Sequence, residues 1–138
     1  LKMNHRLSTE ISEHDQLVLM MAKYFQSLGY TEIKADLPGW TRPNPIWWTK
    51  AENRKFIPDL TCKDSQGKTI ILEAETCSSF NQQHTHDQFQ IFRAHASNLK
   101  GRFEVVVPKY CAEKEGRQLI QQLAREWGFQ LDNIWTPS

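Results

Sequence analysis

Residues 56–76 read FIPDLTCKDSQGKTIILEAET, and the fold turns on how that stretch divides. Phe56 to Asp64 and Lys68 to Thr76 read as two strands flanking Ser65-Gln66-Gly67. A three-residue hairpin loop wants positive φ at its third position, where Gly67 stands without steric cost. If Asp64 pairs with Lys68, the antiparallel register sets Asp59 opposite Glu73. Ile70-Ile71-Leu72 is apolar on both faces, as in a strand covered from both sides. The pattern then breaks at Glu73-Ala74-Glu75. Residues i and i+2 share a face, so both carboxylates point one way and Ala74 the other.

Working outward, Ser8 to Leu28 has helical spacing, with Leu17, Met20, Met21, Tyr24, Phe25 and Leu28 on an apolar stripe. Ser8 or Ser12 caps its start and Gly29 stops it. Tyr30 to Leu37 reads as a short strand. Pro38 to Lys55 reads as irregular, with Pro38, Gly39, Pro43 and Pro45, three tryptophans and several cations; a connection of that length is usually functional when ordered. Asn81 to Leu99 reads as a second helix, with Phe89, Phe92 and Ala96 inward. Arg102 to Val107 reads as a buried strand ended by Pro108. Ala112 to Trp127 reads as a third helix closed by Gly128, and Phe129 to Trp135 as an edge strand. The order is α-β-β-β-α-β-α with a final β.

At 138 residues the chain fits one domain, 1–138. Seventeen Lys and Arg against sixteen Asp and Glu leave a net charge of +1, so a nucleic-acid surface has to be a local patch. A hydrophobic fraction of 39% argues against a disordered chain. No apolar run is long enough to cross a bilayer, and the polar start does not resemble a signal peptide. Three cysteines without a C-x-x-C suggest neither a disulfide framework nor a zinc ribbon. Cys62 and Cys77 are expected as small buried groups in a reducing, cytoplasmic setting. P-loop and dinucleotide-binding fingerprints are missing from the sequence.

In the inferred register Asp59, Glu73 and Glu75 converge. Like charges opposite one another destabilise a sheet, so the trio calls for cations or protons. Mg²⁺ or Mn²⁺ suits an all-oxygen site. The chemistry that follows most naturally is phosphodiester hydrolysis. Asp59 and Glu73 are the expected ligands, with the Ala74 carbonyl as a further donor. Glu75 orients or deprotonates the attacking water, or holds a second ion.

Ile57-Pro58-Asp59 followed by Leu72-Glu73-Ala74-Glu75 resembles the signature of the PD-(D/E)xK nuclease superfamily. The element order from Glu10 to Val107 is similar to its restriction-endonuclease-like core, a mixed central sheet flanked by helices. The resemblance implies an α/β fold, Asp59 and Glu73 as metal ligands, and DNA or RNA as substrate. The usual third residue is Lys, and here it is Glu75, a variant seen in some active restriction enzymes and in members that have lost activity. Lys68 or Lys100 is a candidate to supply the missing cation. Glu13, on the spacing Glu13, Leu17, Met20, Tyr24, resembles the helix-borne Glu of resolvase-like members, with Glu10 as its competitor. Gln88, ahead of Gln90, resembles the family's Gln-aromatic pair.

Arg42, Lys50, Arg54 and Lys55 are placed to contact phosphates, and Trp47 and Trp48 to stack on bases. These features point to a Mg²⁺- or Mn²⁺-dependent nuclease, an endonuclease on DNA ahead of RNA. A catalytically silent nucleic-acid- or protein-binding module of the same fold is the alternative. Cutting both strands calls for a homodimer or a larger assembly. A small hydrolase using His84 and His86 is a third reading, disfavoured because i and i+2 do not share a helix face.

Overall fold

A computed structural model describes residues 12–49, 54–80 and 82–138. The elements run α1 (Glu13–Ser27), β1 (Thr31–Ala35), β2 (Ile46–Thr49), β3 (Arg54–Phe56), β4 (Leu60–Lys63), β5 (Thr69–Ala74), α2 (Gln83–Asn98), β6 (Arg102–Val106), β7 (Tyr110–Cys111), β8 (Lys114–Glu115), α3 (Gly116–Trp127) and β9 (Asn133–Trp135). Five strands form a mixed sheet in the order β1-β4-β5-β6-β9. β1, β4 and β5 pair antiparallel, and β5, β6 and β9 pair parallel. The fold is α/β, with helices on both sides of a mixed sheet.

The turn between β4 and β5 forms as its residues require. Gly67 takes φ +79°, and its N–H donates to the Asp64 carbonyl at 3.0 Å. The Asp64 carboxylate accepts the N–H groups of Gln66 and Lys68 at 2.8 and 2.9 Å. Pairing runs from Lys63↔Thr69 to Leu60↔Leu72, so one step further sets Asp59 against Glu73.

β5 is buried on both faces because two cores meet on it. Ile70, Leu72 and Ala74 pack with Leu17, Val18, Met21, Ala22 and Phe25 of α1. Ile71, Phe103 and Val105 pack with Phe89, Phe92 and Ala96 of α2 and Ile120 and Leu123 of α3. The buried Leu, Ile, Val, Phe and Met side chains among these each contribute about 1.5–3 kcal/mol of burial free energy, and the alanines less. The core that positions the site is therefore independent of the polar groups in it.

Four expectations need correction. The strand expected over 56–64 is broken: Phe56 belongs to β3, which pairs with β2 through Ile46↔Phe56, and β4 begins only at Leu60. Pro58 lies at the break and has no N–H to offer a ladder. Part of the irregular 38–55 stretch is accordingly the β2–β3 hairpin. The third helix starts at Gly116, because residues 110–115 form the β7–β8 hairpin, with Ala112 at φ +56°. A Cβ at Gly116 would collide with the Pro108 carbonyl, so the start of α3 meets the segment that follows β6 backbone to backbone. Finally, Cys77 is exposed and disulfide-bonded to Cys111, and Cys62 alone is a buried free thiol. Ser12 caps α1, its Oγ accepting from the Asp15 N–H at 3.1 Å. Ser8, Glu10, Lys50 and Asn81 lie outside the described residues.

Candidate active site

The acids meet where β5 ends and β4 begins, beside the C-terminal end of the parallel strand β6. Such carboxyl ends of parallel strands are where open α/β sheets place their ligands. The Asp59 N–H donates to Glu73 Oε1 at 2.9 Å, and the Ala74 N–H donates to Asp59 Oδ2 at 2.8 Å. These two crossing bonds carry the register past the last ladder pair and lock Asp59 to Glu73. Glu75 follows on the same alternation, its N–H bonded to the Val106 carbonyl at 3.0 Å. Ser79 Oγ donates to Glu75 Oε2 at 2.7 Å, while the buried Glu75 Oε1 has no hydrogen-bond partner among the described residues.

The three residues are 9%, 2% and 4% exposed. Two other acids, Asp64 and Glu104, are as deeply buried, but Arg102 lies 3.3 and 3.0 Å from them. No Lys or Arg forms such a pair with Asp59, Glu73 or Glu75 among the described residues. Burial, then the charges of Asp59 and Glu75, push the Glu73 carboxyl well above the usual range. Burial pushes Glu75 up to about 7, against the Ser79 hydrogen bond that favours its charged form. Among the described residues, the site gathers more carboxyl groups than cations, and the upward shifts keep protons on part of them.

Among the described residues, one cation does face it. His14 Nε2 lies 3.1 Å from Asp59 Oδ2, and His14 Nδ1 lies 3.0 Å from Asp15 Oδ1. The hydrogen bond to Asp59 is the main cause raising the His14 imidazole to about 9, so it is cationic at neutral pH. The residue expected here is its neighbour, Glu13, which is exposed at the helix start. The buried stripe of α1 is Leu17, Val18, Met21, Ala22 and Phe25, while Tyr24 is 42% exposed. The spacing 14-18-21-25, carried by Val18, Met21 and Phe25, is the signal that points to His14.

Of the remaining candidates, Gln88 is half-buried on α2 and Gln90 is exposed. The acids' hydrogen bonds go to His14, Ser79 and the backbone, and none reaches Gln88 or Glu13. Lys68 precedes β5 and Lys100 precedes β6, both at the far end of the sheet. Five residues of strand separate Lys68 from Glu73, roughly 16 Å, so neither lysine fills the missing place. His84 packs on Phe56, and His86 on Trp127 and Phe129, so the two histidines diverge as helix geometry demands.

The β2–β3 hairpin sorts its cations and tryptophans by face. Arg54 stacks over Trp48 at 4.7 Å and bridges Asp87 of α2 at 3.1 Å, which docks the hairpin. Trp47, 43% exposed, carries Lys55 over its ring at 5.4 Å and faces outward. Arg42 is exposed and pairs with Asp36 at 3.4 Å.

Among the described residues, no three His, Cys, Asp or Glu side chains stand ready-made as a metal cage. Asp59 and Glu73 instead turn oxygens toward backbone N–H groups and His14. The donor chemistry fits a hard divalent cation all the same: buried carboxyl groups, a carboxylate oxygen without a partner among the described residues, and few cations of those residues around them.

No helix among the described residues is long and apolar enough to cross a membrane. No protein-family model matches the chain, and no curated protein matches it in sequence. Among solved structures, a chain from an EndoMS–dsDNA complex aligns with 94% of this chain at 14% identity and a TM-score of 0.41. This chain spans about half of that one, 47% of its length, and a likeness so slight carries no argument about activity.

Proposed function

We propose that the protein is a divalent-metal-dependent nuclease that hydrolyses phosphodiester bonds, acting on DNA as an endonuclease. The observation that carries this reading is the convergence of Asp59, Glu73 and Glu75 at one sheet end, with one buried carboxylate oxygen left unpaired among the described residues. Asp59 and Glu73 would hold the Mg²⁺ or Mn²⁺, with Glu75 beside them. An ion bound there supplies Lewis-acid polarisation of the phosphate and a lowered pKa for water.

The chain's own groups do the rest. Glu75, half-ionised near neutral pH, takes a proton from the water as its oxygen attacks phosphorus. The bond to the leaving oxygen breaks, and that oxygen takes its proton from solvent. His14 supplies the positive charge that the family's lysine otherwise brings, from α1 instead of β5. It has to leave Asp59 for an ion to take its place. The pairing of His14 with Asp59 also supports the second reading, a silent binding module closed by that contact.

A cleavage assay decides between them. With plasmid, linear and single-stranded DNA and RNA in Mg²⁺ or Mn²⁺, the parent protein should cut and Asp59→Ala should not. Equal nicking by both removes the enzymatic reading, and metal-independent binding without scission establishes the silent module. A single site cuts one strand, so double-strand breaks by the isolated chain would call for a second copy.

The outward pair on the β2–β3 hairpin is the expected nucleic-acid contact. Base stacking on an aromatic ring is worth about 1–3 kcal/mol, so Trp47→Ala should weaken DNA binding about tenfold. Lys55→Gln should lower the salt slope of binding by about one ion. Trp48→Ala should act through stability instead, by undocking the hairpin. Fluorescence anisotropy over a salt series separates these effects, and unchanged affinity in Trp47→Ala overturns the assignment.

A further inference from the structure

The turn that follows β5 holds Glu75 in place. Ser79 Oγ donates to Glu75 Oε2 and accepts the Thr76 N–H at 3.0 Å, while the Ser79 N–H closes on the Thr76 carbonyl at 3.0 Å. This turn, 76–80, is tied from outside on two sides. On one side Thr85 Oγ1 of α2 donates to the Ser79 carbonyl at 2.7 Å and Gln82 Nε2, at the start of that helix, to the Ser78 carbonyl at 2.8 Å. On the other side Cys77 is bonded to Cys111 in the β7–β8 hairpin, 34 residues along the chain.

That bond differs from a buried structural staple. Cys77 is exposed and Cys111 half-buried, and neither belongs to either hydrophobic core. Breaking it leaves both cores whole. Exposed disulfides are the ones that exchange with solution thiols, whereas buried ones resist. Lys109 and Lys114 flank Cys111, with Lys114 its direct partner in the hairpin, and positive charge favours a departing thiolate. The third cysteine cannot interfere. Cys62 is 2% exposed under α1, and burial pushes its thiol up to about 12, so it stays protonated and unreactive. The chain therefore has two thiol states, one closed and one open.

We propose that Cys77–Cys111 is a redox latch on the candidate active site: closed, it fixes the 76–80 turn and, through Ser79, the Glu75 carboxylate; opened by a dithiol reductant, it releases both. The consequence for catalysis rests on the nuclease reading, but the latch itself does not. A thiolate of the reductant attacks Cys77 Sγ, a mixed disulfide forms, and Cys111 leaves as a thiolate that takes up a proton. The second thiol of the reductant then attacks the mixed disulfide, releasing Cys77 as the second thiol and leaving the reductant oxidised by two electrons. Reoxidation by a disulfide such as oxidised glutathione runs the exchange backward.

The test compares the full chain oxidised, reduced with dithiothreitol, and as the Cys77→Ser/Cys111→Ser double variant. Amide hydrogen exchange is read residue by residue, and DNA cleavage is read in Mn²⁺. On reduction, exchange at Thr76 and Ser79 should quicken about tenfold or more, while amides of β5 and β6 keep their protection. Cleavage should fall by a similar factor and return on reoxidation. The double variant should match the reduced protein in both readouts and ignore reductant; if it fails to fold, reduced and alkylated parent protein takes its place. Unchanged exchange at Thr76 and Ser79 overturns the latch. A uniform rise over the whole sheet also overturns it, since that is the mark of a general staple. Equal cleavage by oxidised and reduced protein overturns the control of Glu75. If the oxidised protein cuts nothing, the nuclease reading fails, and the exchange data alone decide on the latch.

Discussion

Glu73→Gln is expected to abolish cleavage while making the protein more stable at pH 8. The two effects come from one cause. Glu73 is 2% exposed, and burial together with the charges of Asp59 and Glu75 disfavours its ionised form. In the unfolded chain at pH 8 the same carboxyl ionises freely in water, so folding has to work against that preference. Glutamine keeps the shape and keeps an amide oxygen to accept the Asp59 N–H, which Glu73 Oε1 accepts at 2.9 Å. What it removes is the charge. The gain should be about 1–2 kcal/mol, the size of a good stabilising substitution and several degrees in Tm. It should fade toward pH 4, where the unfolded carboxyl is protonated as well.

The loss in activity should be far larger. A carboxylate that holds the catalytic ion contributes several kcal/mol of charge stabilisation in the transition state. At 1.36 kcal/mol per decade that is roughly a thousandfold in rate. Thermal melting and a cleavage time course on one preparation check both parts. A substitution that damages packing lowers stability and activity together; a rise in one with collapse of the other marks a group kept for its chemistry. A variant that melts earlier and still cuts DNA would show Glu73 to be an ordinary buried acid.

How much of this was legible in the chain depends on how local the determinant is. The β4–β5 turn is written in Asp64, Gly67 and Lys68, three residues within five positions, and their register fixed Asp59 against Glu73 without any longer-range knowledge. The helical stripes of α1 and α2 are local as well. The break at Pro58 was hidden because Phe56 and Leu60 are both apolar and suit a continuous strand. Phe56 instead completes the second core, against Phe92 and Trp48, which only the folded chain brings near. The Cys77–Cys111 pairing is a contact across 34 residues, and an odd cysteine count gave no hint of which two would meet. His14 was missed by one helical position. Counting Tyr24 as inward rotated the stripe by about 100°, from His14 to Glu13.

The second large effect is on the pH dependence of stability, and a divalent ion should reverse it. Both relevant shifts are upward. Glu75 moves from 4.5 to about 7, chiefly by burial, and His14 from 6.5 to about 9, chiefly by its bond to Asp59. A group that holds its proton more tightly when folded stabilises the fold below its unfolded pKa. That stability is lost as pH rises through the folded value. Glu75 therefore costs stability between about pH 4.5 and 7, and His14 loses its contribution between about pH 6.5 and 9. Asp64 and Asp87 have depressed pKa values, and their losses fall below pH 3.8, outside this window. Glu73 and Glu104 are shifted upward and add in the same direction.

For Glu75, 4% exposed, the shift amounts to on the order of 3 kcal/mol. The His14 contribution is smaller, because its side chain is 40% exposed and screened. Without divalent ions, Tm should fall by roughly 10 °C between pH 5 and pH 9. A cation bound among Asp59, Glu73 and Glu75 requires them deprotonated, so its affinity rises over the same range. Millimolar Mg²⁺ or Mn²⁺ should stabilise the fold, and so raise Tm, little at pH 5 and strongly at pH 8, the gain in stability being about 2.7 kcal/mol where the ion is at a hundred times its Kd. The increment should vanish in Asp59→Ala and shrink in Glu73→Gln. An apo Tm that stays flat or rises across this range would show that the acids are offset within the fold already. An ion increment that does not grow with pH would show that these carboxylates do not bind it.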